Sequence, residues 1–71
     1  MAPSFDAQEN SWLRAAKRKF EQRDLHDETL DQRKDLFLVD LMSIPDPAVQ
    51  KLIDKIDEMP TDDFWALYKT L

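Results

Sequence analysis

Apolar residues recur along this chain in four blocks, each at the three- and four-residue spacing of an α-helix. In the first block, Phe5, Trp12, Leu13, Ala16 and Phe20 fall on one face at about 100° per residue. Ser4 or Asp6 can cap this helix with a side-chain oxygen, and Asn10 and Ser11 offer a second start. The spacing predicts a helix over 6–23, with residues 1–5 frayed.

The second block holds the densest apolar stretch, Leu36–Ile44. Its start is marked by Thr29 and Gln32, which have the spacing of a capping box. Leu30, Phe37, Leu41 and Ile44 are expected to line the core face, with Leu38 and Met42 beside them. Leu36 and Val39 point the other way. They are core if neighbouring helices wrap around them, and a partner or dimer surface if not. A strand over Leu36–Met42 is rejected because no second strand exists to pair with it, so this helix is placed at 28–43. Pro45 ends it.

Asp46-Pro47 starts the third helix, over 47–59, with Asp46 as cap and Pro47 where a missing N–H costs nothing. Val49, Leu52, Ile53 and Ile56 form its apolar stripe, with Ala48 and Met59 at the edge. Pro60 separates it from a fourth helix over 62–70, with Thr61 as its expected cap and Asp62 and Asp63 in its first turn. Phe64, Leu67, Tyr68 and Leu71 share a face there, and Trp65 flanks it. The predicted fold is all-α: a compact bundle of about four helices, without a sheet, forming one domain over 1–71.

Composition sharpens this picture. The 71 residues include no glycine, which agrees with helices joined by Pro, Asp and Thr junctions. There is no cysteine, which excludes disulfides and thiol chemistry. No stretch approaches the roughly 20 apolar residues of a membrane span, and the N-terminal segment lacks a signal-peptide layout, so the expected location is the cytoplasm.

Charge is uneven. Residues 1–23 carry five basic and three acidic groups, for +2, and residues 24–71 carry five basic and twelve acidic groups, for −7. The overall field does not favour nucleic acid. Arg14, Lys17 and Arg18 lie on the outer face of the first helix, either as a solvated face or as a basic contact patch. The single histidine, His26, sits among Asp24, Asp27 and Glu28 on a junction, without the convergent His or Cys ligands of a zinc site. Neither a metal nor a cofactor is expected.

The segment Asp57-Glu58-Met59-Pro60-Thr61-Asp62-Asp63-Phe64-Trp65 is a helix ending in proline, followed by a short tryptophan-containing helix. It resembles the tail of the Hha/YmoA family of small nucleoid-associated regulators, which are also glycine-poor and all-helical. The resemblance covers under a fifth of the chain, and the earlier helices do not line up with that family.

Ser4, Ser11 and Ser43 have no basic partner at readable spacing, and adjacent carboxylates such as Asp62-Asp63 do not face one cleft, so no catalytic residues are assigned and no enzyme is expected. The reading that remains is a protein–protein interaction or regulatory module that docks through a helical face, with homodimerisation fitting so small a core. Its candidate contact residues are Trp12, Arg14, Lys17, Arg18, Leu36, Val39 and Trp65. The alternatives are an acidic nucleic-acid mimic that inhibits a DNA-binding or nuclease target, and the nucleoid-associated role implied by the resemblance.

Overall fold

A computed structural model describes residues 4–71. Four helices follow one another: α1 (Ala7–Glu21), α2 (Leu30–Met42), α3 (Val49–Glu58) and α4 (Thr61–Tyr68). The fold is an all-α bundle, with no strand among the described residues. Residues 1–3 of the segment expected to fray lie outside the described residues, and Phe5 is half-buried against the core.

Local chemistry explains the helix starts. Asp6 accepts from the Glu9 amide while Glu9 accepts from the Asp6 amide, a full capping box at the head of α1. Thr29 and Gln32 form the second box, as their spacing predicts. Asp46 Oδ1 accepts from the Ala48 amide at 2.9 Å and steadies the turn that leads into α3. That turn delays α3, which begins at Val49, two residues after the expected start.

Helix α2 is the hub: it packs against α1, α3 and α4. Leu13, Ala16 and Phe20 of α1, Phe37, Leu38 and Leu41 of α2, Val49, Leu52, Ile53 and Ile56 of α3, and Phe64 of α4 are buried together with Met59. The core has two parts. An aromatic part joins Phe20, Phe37, Phe64, Trp65 and Tyr68, with Phe37 to Phe64 at 5.1 Å and Phe20 to Phe37 at 5.9 Å in edge-to-face geometry. An aliphatic part is supplied by the stripe of α3.

Several expectations are corrected. Leu30 shares the azimuth of Phe37 yet is 55% exposed, because it is the first residue of α2 and lies at the end of the packed layer. Met42 is 60% exposed at the other end of the same helix. Thr61 does not cap α4 through its side chain; it is the first helical residue, and its hydroxyl donates to Asp31 of α2. Helix α4 ends at Tyr68, before the expected Thr70.

Candidate docking surface

Polar side chains tie the helices together and so decide which surface is left free. Arg23, just beyond α1, donates from Nε and Nη2 to the two carboxylate oxygens of Asp40 at 3.0 and 2.8 Å. Asp40 is only 1% exposed, so the forked pair supplies the partner that a buried carboxylate needs. The hydrogen bond to Asp40 raises the Arg23 pKa, and the guanidinium stays cationic. Lys34, also buried, donates to the carbonyls of Asp57 and Met59 and satisfies the C-terminal end of α3. Lys55 of α3 bonds both oxygens of Glu9 at 2.8 and 3.1 Å, with the Phe5 ring beneath its ammonium group.

The α4 side is closed in the same way. Trp65 Nε1 donates to the Leu30 carbonyl at 3.2 Å, and Tyr68 donates to Glu21 at 3.3 Å. Burial, assisted by the Glu21 charge, pushes the Tyr68 phenol up to about 12. Lys17 donates to the Leu71 carbonyl at 2.7 Å and lies 5.2 Å from the centre of the Tyr68 ring. In the junction between α1 and α2, Glu28 accepts from the His26 amide at 2.6 Å; hydrogen bonds from its own and the His26 backbone lower its pKa.

The face of α2 turned away from the core is left uncovered. Val39 is 50% exposed and Met42 is 60% exposed, and they are adjacent at i and i+3. Met42 opens onto a shallow groove at the corner between α2 and α3, lined also by Ile44, Pro45, Asp46, Pro47, Val49, Gln50 and Ile53. Six of the eight lining residues are apolar, and none is basic. The corner exists because Pro45 stops α2 and Asp46-Pro47 redirects the chain, leaving two prolines and Ile44 between helices. A second cleft, lined by Thr29, Leu30, Asp31, Pro60, Thr61 and Asp62, brings together two carboxylates and two threonine hydroxyls, both already hydrogen-bonded, and no basic side chain.

The candidate contact residues do not form one surface. Arg14 and Arg18 are exposed one turn apart on α1. Lys17, placed with them by sequence, is engaged within the fold and does not extend their patch. Trp12 and Trp65 are half-buried against the core, Trp65 within the aromatic cluster. The Leu36 and Val39 pair is divided: Leu36 packs on the core and Val39 faces outward. Sequence reasoning missed Met42 and the Ile44–Pro47 corner. The available signal was the position of Met42 three residues after Val39, next to a proline break.

His26 Nε2 stands 3.4 Å from Asp24 Oδ2 with both side chains exposed. Among the described residues, no group of three or more His, Cys, Asp or Glu side chains converges as a metal site. No helix among them is long and apolar enough to cross a membrane. The chain matches no protein-family model, and no curated protein or solved structure matches it significantly.

Proposed function

We propose that this protein is a small, non-catalytic interaction or regulatory module that docks a protein partner through the outer face of α2 and the groove beside it. The observation that carries this reading is the exposure of Val39 and Met42 together, continuous with an apolar groove. Single exposed apolar residues are ordinary on any protein, but a contiguous apolar patch with a polar rim is the usual mark of an interaction site. The patch is also preorganised. Helix α2 is held from its other sides by α1, α3 and α4, so little conformational freedom remains to be lost when a partner binds. The side-chain chemistry supports a non-catalytic role: there is no cysteine, and the single histidine is exposed beside Asp24.

The test is site-specific photo-crosslinking in the cells that make the protein. A photoreactive side chain at Met42 is expected to give a discrete protein adduct, whereas one at Lys51, exposed on α3 and outside the groove lining, gives none. Equal adducts from both positions, or none from Met42, would contradict the reading.

A further inference from the structure

We infer that the occupant of the groove at the α2–α3 corner is a basic amphipathic segment of another protein: one or two apolar side chains that enter the groove, flanked by Lys or Arg. The inference rests on the docking role proposed above and deepens it by naming the chemistry of the partner.

Charge around the apolar patch carries the argument. Asp35 is exposed one helical turn before Val39, on the same face of α2. Asp46 lines the groove itself. Asp54 is exposed and hydrogen-bonded through Oδ1 to the groove residue Gln50 at 3.0 Å. Of the basic groups nearest in sequence, Lys34 closes the end of α3 and Lys55 pairs with Glu9, while Lys51 is exposed on α3 outside the groove lining. The rim of the apolar centre therefore sets three carboxylates, Asp35, Asp46 and Asp54, against the single exposed Lys51 and is acidic on balance. A complementary partner brings apolar anchors and positive flanks, and the rim charges steer its approach.

The same charges argue against a second copy of this chain. Two copies meeting face to face would set Asp35, Asp46 and Asp54 against their own kind, in a chain of net charge −5. The basic face of α1 could meet the rim, but its exposed positions are Arg14, Ala15, Arg18 and Lys19, with no large apolar side chain to fill the groove.

The experiment uses the full chain and three synthetic helical peptides as probes. One carries leucine and lysine at helical spacing, one replaces every lysine by glutamate, and one has the leucine–lysine composition with the spacing scrambled. Binding is read by NMR chemical-shift changes and by titration. The leucine–lysine peptide is expected to perturb Val39, Met42, Ile44 and Gln50, with affinity that falls as salt rises. Asp35→Lys with Asp54→Lys is expected to weaken it roughly tenfold. Asp24→Lys with Asp27→Lys makes the same change in net charge and is expected to leave it nearly unaltered. Those two residues precede the start of α2, whereas the groove adjoins its far end, about 20 Å away along a 13-residue helix.

Equal weakening by both double variants, equal binding by the scrambled peptide, or shifts that map to residues 24–31 in place of the groove would overturn the proposal, because each reports diffuse attraction to an acidic protein. Binding of the glutamate peptide in the groove, or self-association through Val39 and Met42 seen by light scattering, would overturn the basic partner while leaving the docking face standing. If no peptide perturbs the groove and Met42 yields no crosslink, both readings fail together.

Discussion

The two sides of the bundle are built from different chemistry. On the α4 side, Phe20, Phe37, Phe64, Trp65 and Tyr68 interlock edge to face. Their rims are fastened by hydrogen bonds from Trp65 to Leu30, from Tyr68 to Glu21 and from Lys17 to Leu71. On the α3 side the core is aliphatic; Lys34 and Lys55 fasten α3 farther along, and the edge runs out into Met42, Ile44, Pro45 and Pro47. The first side is closed by its own side chains. The second ends in an apolar surface that nothing in the chain covers among the described residues. A fold this small has few side chains to spare, so the difference separates what holds the molecule together from what is free to bind.

Substitutions of the groups that hold the helices together should be costly, in a definite order. Phe37→Ala removes a fully buried ring that touches Phe20, Phe64 and Tyr68, and urea denaturation should show a loss of about 3–5 kcal/mol. Arg23→Ala comes next, with a smaller loss than Phe37→Ala, because it strands the buried Asp40 carboxylate. Asp40→Ala should cost less than Arg23→Ala, since the guanidinium left behind is 32% exposed and reaches water. The reverse order would show that the pair is held for packing and not for charge satisfaction.

Lys34→Met keeps the aliphatic stem and removes the ammonium group from the end of α3; a loss of about 1 kcal/mol is expected. Smaller still is the effect of alkaline pH. Tyr68 is the sole tyrosine, so its ultraviolet titration is unambiguous, and its midpoint should lie near 12. Between an unfolded value of 10.0 and that midpoint, the folded phenol keeps a proton that the unfolded chain has lost. Stability contributed by the neutral phenol is therefore full below pH 10.0 and declines as pH rises toward 12. The loss should stay under about 1 kcal/mol, since the ring is partly open to solvent. A midpoint close to 10 would show that the Tyr68 hydroxyl is not held on the closed side.

Sequence reading recovered the parts of the fold that local chemistry decides. The Thr29 and Gln32 box and the Pro60 break each act over a few residues and appear where the sequence puts them; the start expected at Asp46-Pro47 does not, since α3 begins at Val49 with Ala48 as its N-cap. Periodicity also placed Leu13, Phe37, Leu41 and the whole stripe of α3 in the core. It failed at Leu30 and Met42 because a helical wheel records azimuth and not position along the axis, and both sit at helix ends. The polar fasteners were invisible for a different reason. Glu9 and Lys55 are 46 residues apart, Lys34 and Met59 are 25 apart, and Arg23 and Asp40 are 17 apart; only the tertiary arrangement brings them together. The engagement of Lys17 was hidden on the same ground, since its partner Leu71 lies 54 residues away. Of the proposed docking surface, Val39 was legible from sequence, and the groove beside it was not.

The division between a closed side and a free side is tested most directly by thermal unfolding of the Val39→Asp, Met42→Asp double variant beside the parent chain. Both side chains are at least half exposed, so the melting temperature should stay within about 2 °C of the parent value. A fall of about 10 °C or more, on the scale expected for a core substitution in a domain this size, would show that the outer face of α2 belongs to the fold itself.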